Sequence, residues 1–476
     1  MPSSAAPTVF VLFGATGDLA HRLVLPAFFT LADRDLLPDR WWLVGNGRGD
    51  HPHEHFRKAV RDALEADDSA PNPDDLDWDD VASRVLFAGG GFSADDPGAL
   101  PDVLAEIRKE AGDSADEVQL VFYLALPPSV FLPVTKALAA HGLTEGARVV
   151  YEKPYGTSPS GFEELDAAVH EVLDEDQVFR IDHFLGKEAT QDLHVLRFAN
   201  QLFTGVWNRE HVAQVQIDVP ETLDIDDRAQ FYDATGATLD MLVTHLFQVA
   251  AEVAMEPPAG SGALALQEAR EAVIAAFRPL AKDDVVLGQY QGYRDVEGVA
   301  DDSTTDTFVA ARLWVDTDRW HGVPFLLRTG KRLAASAQQV TLVFREPDGP
   351  VGDVPVRGSF LRVSLAGDGQ IDIGMVLKEP GPEGALVTGT AALPLERVPR
   401  AEPLPAYATL LLDVMAGDKA LFTSREGLQH AWKAATSLLA DRPAVQPYEQ
   451  GSWGPDAAHD LPAGGWMPLL SSSGSS

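Results

Sequence analysis

The stretch Val9-Phe-Val-Leu-Phe-Gly14-Ala-Thr-Gly17-Asp-Leu-Ala20 decides the fold of the first part of the chain. Its first five residues are apolar and rich in β-branched and aromatic side chains, which is typical of a buried strand. The run ends at Gly14, and a helix-length pattern follows to about Leu37. The stretch therefore predicts a strand, a tight turn and a helix. Glycines in such a turn can bring backbone N–H groups against a pyrophosphate, although a tight turn that binds no ligand is the alternative.

Three further apolar segments extend this pattern, and helix-length stretches separate them. They are Trp41-Trp-Leu-Val44, Val118-Gln-Leu-Val-Phe-Tyr-Leu124 and Arg148-Val-Val-Tyr151. Strands that alternate with helices predict an α/β fold with a Rossmann-like, doubly wound parallel sheet. Ligands of such a sheet bind at the carboxyl ends of its strands.

The pattern changes from about Phe179 onward. Segments such as Val212-Ala-Gln-Val-Gln-Ile-Asp-Val219 and Phe308-Val-Ala-Ala-Arg-Leu-Trp-Val315 alternate between apolar and polar residues. Such alternation favours an α+β half with a large, mainly antiparallel sheet and accompanying helices. We therefore expect a Rossmann-like domain over residues 1–178, an α+β domain over residues 179–468 and a disordered tail over residues 469–476.

Composition narrows the classes of partner. The 476 residues carry a net charge of −35, from 72 acidic and 37 basic side chains, which argues against nucleic acid and anionic membrane. A phosphate site must then be locally basic. The chain has no cysteine, no apolar run long enough to span a membrane and no signal-like segment at Met1 to Thr8. We predict a cytoplasmic protein without a metal site.

Arg48 follows the second predicted strand, where a dinucleotide site for NAD would carry an acidic residue. A guanidinium at this position matches a 2′-phosphate bidentately, which favours NADP over NAD. A surface arginine in a glycine-rich loop is the alternative interpretation.

Lysines and histidines in compact motifs mark a second set of candidates. Only ten lysines occur, and three of them, Lys153, Lys187 and Lys331, lie beside glycine or proline. Asp182-His183 precedes Lys187 closely, and His245 lies in a helix-like run that begins at Asp240 and reaches Met255. A histidine paired with a carboxylate suits proton removal from a hydroxyl group, whereas a core histidine is the alternative. By sequence alone, Asp182 and Asp240 both compete as its partner.

Several segments together resemble the glucose-6-phosphate dehydrogenase family over about Thr8 to Trp466. They are Gly-Ala-Thr-Gly-Asp-Leu-Ala, Tyr-Leu-Ala-Leu-Pro-Pro, Glu-Lys-Pro-Tyr-Gly, Arg-Ile-Asp-His-Phe-Leu-Gly-Lys-Glu and Gly-Val-Pro-Phe-Leu-Leu-Arg-Thr-Gly-Lys. The resemblance implies oxidation of glucose 6-phosphate at C1 to the lactone with hydride transfer to NADP⁺, a step of the pentose phosphate pathway. It also implies that the first domain binds NADP, that the second binds the sugar phosphate and dimerises, and that the protein is a homodimer or homotetramer.

The resemblance assigns roles by position. His245 is implied as general base and Asp182 as the carboxylate that orients it. The implied substrate contacts are His183, Lys187, Glu221, Asp240, Lys331 and Lys153. The implied cofactor contacts are Gly14, Thr16, Gly17, Asp18, Leu19, Arg48 and Lys153.

This chain departs from the family pattern around the sugar site. Leu23 replaces a lysine of the usual Lys-Arg-Lys, Thr244 belongs to a replaced polar pair, and Ser336 stands where a basic residue often follows. The usual Gly-Val-Glu-x-Arg is here Asp224-Ile-Asp-Asp-Arg228. Loss of cations can alter substrate preference. Two alternatives therefore stay open: a dehydrogenase of another aldose or sugar phosphate, and a regulatory paralogue that binds NADP(H) with little or no turnover.

Overall fold

The computed structural model describes residues 6–112, 117–225, 228–347, 354–366, 369–399 and 402–469. The chain forms two compact units. The first comprises Met1–Gly186, Gly262–Gln267 and Leu404–Arg425, and the second comprises Lys187–Ser261, Glu268–Pro403 and Glu426–Ser476. The expected boundary after residue 178 stays a prediction. Residues 470–476 of the expected disordered tail lie outside the described residues, as do Asp226 and Asp227.

The described strands are β1 Thr8–Phe13, β2 Trp41–Asn46, β3 Val85–Ala88, β4 Gln119–Leu124, β5 Arg148–Tyr151, β6 Val178–Arg180, β7 Val212–Pro220, β8 Val285–Tyr290, β9 Phe308–Trp314, β10 Pro324–Gly330, β11 Gln339–Phe344, β12 Phe360–Ser364, β13 Gln370–Lys378, β14 Leu386–Pro394 and β15 Val445–Tyr448. The described α-helices are α1 Leu25–Asp33, α2 His53–Glu65, α3 Trp78–Arg84, α4 Leu100–Ala111, α5 Phe131–Ala140, α6 Pro159–Val169, α7 Glu188–Ala199, α8 Gln201–Thr204, α9 Ala229–Ala237, α10 Phe247–Ala254, α11 Ala263–Ala275, α12 Ala406–Ala416 and α13 Arg425–Ala440.

The first unit contains a six-stranded sheet in the order β3-β2-β1-β4-β5-β6. Every pairing in it is parallel, so the predicted Rossmann-like sheet is confirmed. The strand order reverses between β1 and β4, which opens a crevice at their carboxyl ends. The quoted N-terminal stretch therefore lies at the position where this sheet class binds its ligand.

Continuous apolar runs explain why these strands are central. All six residues of β1 and of β2 are buried, as expected for strands that helices cover on both faces. Phe10 and Leu12 of β1 and Trp41 and Leu43 of β2 belong to one core cluster, together with residues of α1, α2 and α12. This hydrophobic core fixes the positions of the carboxyl ends of the strands.

The second unit contains a nine-stranded sheet in the order β14-β13-β12-β11-β7-β10-β9-β8-β15. Its pairings are antiparallel except for β7 with β10 and β15 with β8. The predicted, mainly antiparallel sheet is confirmed. The parallel pair at the centre of the sheet, β7 with β10, places two candidate site residues side by side.

Two segments are π-helical rather than α-helical. One is Ala20–Val24, directly before α1, and the other is Thr238–Leu246, directly before α10. Such helices are rare and occur frequently at functional sites. Among the described residues, no helix is both long and apolar enough to cross a membrane.

Candidate functional site

Candidate residues of the first unit lie at one edge of the six-stranded sheet. Gly14 follows β1, Arg48 follows β2, Lys153 follows β5, and Asp182 and His183 follow β6. Because all six strands are parallel, their carboxyl ends meet at this edge. The structure therefore brings these predicted residues to one edge of the sheet from four separate segments.

The turn after β1 requires glycine at its first position. Gly14 has a φ of 74°, and a Cβ there would lie 2.3 Å from the carbonyl oxygen of Ala125, which follows β4. The Gly17 N–H donates to the Gly14 carbonyl at 2.8 Å and tightens the turn. Thr16, Gly17 and Asp18 are exposed.

This turn fits the pyrophosphate of a dinucleotide. It stands at the reversal of the strand order and leads through Asp18 and the half-buried Leu19 into a helix. Backbone groups at such a helix start favour an anion. Arg48 is exposed on the neighbouring loop, and no carboxylate among the described residues lies within ion-pair distance of it. A free guanidinium suits a 2′-phosphate.

Lys153 is half-buried and follows a fully enclosed carboxyl group. The neighbouring Glu152 accepts a hydrogen bond from the Tyr123 hydroxyl at 2.5 Å. Burial raises the pKa of Glu152, while the Tyr123 hydrogen bond and the Lys153 backbone N–H oppose that shift. Glu152 Oε2 also accepts the backbone N–H of Lys153 at 3.4 Å.

Asp182 and His183 belong to a loop that packs on α12. Asp182 is buried, and its Oδ1 accepts the backbone N–H of Phe184 at 2.9 Å. The His183 ring stacks on Tyr407 with centroids 6.3 Å apart and an interplanar angle of 17°. Gly186 is required because a Cβ there would lie 2.6 Å from the Ala406 carbonyl oxygen.

In the second unit, Glu221 and Lys331 follow the two strands of the central parallel pair. Gly330 of β10 is in register with Pro220 of β7, so the next residues of both strands are neighbours. The Lys331 Nζ lies 2.6 Å from Glu221 Oε2. It also lies 5.9 Å from the ring centroid of Tyr232, which makes a cation–π contact.

Tyr232 connects this ion pair with the π-helical segment. Its ring is buried. Burial, followed by the negative charges of Asp240 and Asp306, raises the pKa of Tyr232 well above its ordinary value. The phenol therefore stays neutral and keeps its hydroxyl proton at physiological pH.

The segment Thr238–Leu246 carries both Asp240 and His245. It packs against β9 and β10, and His245 is fully buried. Thr244 donates from its hydroxyl to the Leu239 carbonyl at 2.7 Å, five residues back. The predicted helix-like run to Met255 is confirmed, with its first part in the wider π form.

Two more polar contacts of the second unit concern predicted residues. Lys187 donates from Nζ to Oε1 of Gln338. Ser336 accepts the backbone N–H of Thr222 at 2.8 Å, next to Glu221. In the first unit, Leu23 is 41% exposed on the π-helical segment Ala20–Val24.

The structure thus gathers the predicted residues into two groups, one in each unit. The sequence missed Tyr123, Glu152 and Tyr407 in the first unit, and Tyr232 and Gln338 in the second. Tyr123 and Glu152 each begin a segment that carries the family resemblance, Tyr-Leu-Ala-Leu-Pro-Pro and Glu-Lys-Pro-Tyr-Gly, so a motif signal could have found them. Tyr407, Tyr232 and Gln338 lie in no such segment. The role of each site residue, and the pairing of Asp182 with His245, stay predictions.

Comparison with known proteins agrees with this architecture. Residues 11–192 match the model for the glucose-6-phosphate dehydrogenase NAD binding domain, and residues 194–465 match the model for the glucose-6-phosphate dehydrogenase C-terminal domain. The chain is 37% identical to glucose-6-phosphate 1-dehydrogenase 2 of Mycobacterium bovis, with 97% of this chain and 94% of the relative covered.

Two solved structures are similar over almost the whole chain. A glucose-6-phosphate 1-dehydrogenase from Mycobacterium avium is 33% identical, with a TM-score of 0.84 and coverage of 98% of this chain and 99% of the other. A glucose-6-phosphate dehydrogenase in complex with its substrate glucose 6-phosphate is 30% identical, with a TM-score of 0.90 and coverage of 99% and 100%. The sequence, the paired domains and the fold agree, and the chain belongs to the glucose-6-phosphate dehydrogenase family.

Proposed function

We propose that the protein oxidises glucose 6-phosphate at C1 to 6-phosphoglucono-1,5-lactone and transfers the hydride to NADP⁺. The observation that carries this proposal is the polar cluster of the second unit. There the Lys331 ammonium group contacts both Glu221 and the Tyr232 ring, and the negative charge of Asp240 acts on Tyr232. The buried His245 shares the π-helical segment with Asp240. A cluster of donors and acceptors suits a polyhydroxylated ring.

Each side chain has a chemical task in this proposal. His245 removes the proton of the C1 hydroxyl, because an imidazole is the side chain best suited to proton transfer near neutral pH. Glu221 and Asp240 accept hydrogen bonds from sugar hydroxyls, and Lys331 donates. His183 and Lys187 hold the phosphate, where a histidine N–H and an ammonium group are suitable donors.

NADP⁺, when it is bound, accepts the hydride from C1 of the sugar. Gly14, Thr16, Gly17, Asp18 and Leu19 form the turn for its pyrophosphate, and Arg48 takes its 2′-phosphate. In this proposal, Lys153 contacts both the cofactor and the substrate.

Replacement of His245 tests the catalytic step. We expect His245→Asn to lower kcat by about 10³-fold, within the range for loss of a general base, and to leave the Kd for NADP⁺ unchanged. His459→Asn, at an exposed position, is the matched control and should keep full activity. Full turnover by His245→Asn would remove His245 from the mechanism.

The partner of His245 needs a separate comparison of Asp182→Asn with Asp240→Asn. If Asp182 orients the base, Asp182→Asn lowers kcat and alters the pH profile of kcat, whereas Asp240→Asn raises KM for the sugar phosphate. The reverse assignment follows if the two variants exchange these effects.

A different sugar substrate is the second candidate, and the surroundings of Ser336 favour it. Its hydroxyl bonds to Thr222 beside Glu221, at a position where the family often has a cation, and Leu23 offers no charge. Values of kcat/KM over a panel of phosphorylated and free aldoses, with NADP⁺ and NAD⁺, separate the candidates. Clear preference for glucose 6-phosphate eliminates the second, and NADP⁺ binding without turnover on any aldose would instead favour a regulatory paralogue.

We also propose that the protein assembles as a homodimer or homotetramer. Cross-strand partners on β13 and β14 present one apolar face, because Leu377 pairs with Val387 and Ile371 pairs with Leu393. Met375, Leu377 and Leu393 are between 43% and 49% exposed, and such a patch suits association with a second copy. Light scattering after size-exclusion chromatography measures the assembly, and a monomer would contradict it. The cytoplasmic location stays a prediction.

A further inference from the structure

A group of histidines lies directly behind the loop that carries Arg48. Three of the chain's 13 histidines, His51, His53 and His55, fall within five residues at the start of α2. All three belong to the first unit. The proposed reaction uses none of them.

The ring of His51 folds back against this loop. Its Nε2 lies 2.2 Å from the point that a Cβ on residue 49 would occupy, so the ring lies directly against the backbone of Gly49, next to Arg48. The ring also stacks on His55, with centroids 4.5 Å apart and an interplanar angle of 28°. Both residues are exposed, so both rings are accessible to a ligand.

His53 has a different task. Its Nδ1 accepts the backbone N–H of Phe87 in β3 at 2.9 Å, which anchors the start of α2 to the sheet. The group therefore contains one structural histidine and two exposed rings that face solvent beside Arg48.

We propose that His51 is a second donor to the 2′-phosphate of NADP, next to Arg48, and that His55 orients the His51 ring by stacking. The proposal rests on the proposed function, which assigns the 2′-phosphate to Arg48. A chain with a net charge of −35 repels a phosphate monoester unless the site supplies local donors. An imidazole N–H donates to a phosphate oxygen, and a donor to an ionised acceptor makes a stronger hydrogen bond than one to a neutral acceptor. His51 thereby increases the preference for NADP over NAD.

Calorimetric Kd values of the full chain for 2′,5′-ADP and 5′-AMP test this role, because the two ligands differ only in the 2′-phosphate. We expect His51→Ala to weaken binding of 2′,5′-ADP about tenfold, the effect of one hydrogen bond to a charged group, and to leave 5′-AMP unchanged. His55→Phe retains a stacking ring and should keep most of the preference, whereas His55→Ala should lose part of it. His459→Ala is the control at an exposed position elsewhere.

The outcomes for Arg48→Ala separate this inference from the function on which it rests. If Arg48→Ala abolishes the discrimination while His51→Ala leaves it intact, the role of His51 is overturned and the proposed function stands. If Arg48→Ala leaves the discrimination intact, the 2′-phosphate site itself is misplaced. An equal loss for both nucleotides in His51→Ala would indicate a structural role only and would also overturn the inference.

Discussion

The carboxyl edge of the six-stranded sheet and the polar cluster of the nine-stranded sheet are assembled by different means. In the first unit, one rule places Gly14, Arg48, Lys153 and Asp182 together, because parallel strands end at the same edge. In the second unit, the sheet is mostly antiparallel, and the cluster depends on a single parallel pair, β7 with β10. Backbone topology alone locates the first group, whereas side-chain contacts between distant segments locate the second.

The parallel pair of the second unit has its own anchor. Arg328 of β10 and Asp218 of β7 are both buried, in register, and joined by two hydrogen bonds of 2.8 and 2.5 Å. The Arg328 guanidinium also packs over the Trp466 ring at 4.2 Å. This pair fixes the register two residues before Pro220 and Gly330, and therefore the relative positions of Glu221 and Lys331. The polar cluster of the second unit therefore depends on one specific ion pair for its geometry. In the first unit, the extended hydrophobic core keeps the carboxyl ends of the strands aligned.

The largest loss of stability is expected from a substitution at Gly14, where the turn of the first unit has no room for a side chain. Gly14→Ala places a Cβ 2.3 Å from the Ala125 carbonyl oxygen and forces alanine to a φ of 74°. We expect a loss of about 3 kcal/mol or more in the free energy of unfolding, from strain and steric overlap together, and loss of NADP⁺ binding. Urea unfolding and calorimetry measure both.

Gly142→Ala is the matched control for this prediction. Gly142 has a similar φ of 67°, but no atom lies within 4 Å of an added Cβ. Gly142→Ala should lower the free energy of unfolding by about 1 kcal/mol, because only the backbone strain applies. It should leave cofactor binding unchanged. Equal losses in the two variants would show that the turn at Gly14 tolerates a side chain and would weaken the comparison.

An intermediate effect is expected in the second unit. Lys331→Met removes the cation that pairs with Glu221 and packs on Tyr232, and leaves the Glu221 carboxylate without its partner. We expect kcat/KM for glucose 6-phosphate to fall about 100-fold, as is usual when one member of a charge pair in a binding site is truncated. The Kd for NADP⁺ should not change.

Lys378→Met is its control, because Lys378 is exposed and bonds only to backbone carbonyls in the described structure. A fall in NADP⁺ affinity with Lys331→Met would mean that the two groups of residues are not separable in function.

The smallest effect that we expect is a pH dependence of stability caused by one carboxyl group of the first unit. Burial, and then the nearby charge of Asp418, raise the pKa of Asp413 on α12 to about 7. A raised pKa means that the folded state binds the proton more tightly than the unfolded chain. The resulting stability is present below about pH 4, the ordinary aspartate value, and is lost as pH rises to about 7.

Asp413→Asn removes this dependence. We expect the variant to be more stable than the native protein by about 1 kcal/mol at pH 8, after allowance for solvent screening, and the difference to shrink toward pH 4. Melting temperatures across this range check the prediction, with the exposed Asp301→Asn as control. A constant difference between variant and native protein at all pH values would contradict the role of ionisation.

The sequence by itself determined the elements that depend on local pattern. The apolar runs fixed β1, β2, β4 and β5 to within a few residues, and their alternation with helices indicated the parallel sheet. Because a parallel sheet aligns its carboxyl ends, the positions of Gly14 and Arg48 relative to each other followed as well.

The tertiary structure alone decided the rest. The contact of Lys331 with Glu221 depends on which strands pair and in what register, and no local pattern encodes that choice. Tyr232 and Tyr407 reach their sites from segments without a motif, and the π form of Thr238–Leu246 differs from an α-helix only in its hydrogen bonding. These features arise from contacts between residues distant in sequence, so they become visible only when the chain is folded.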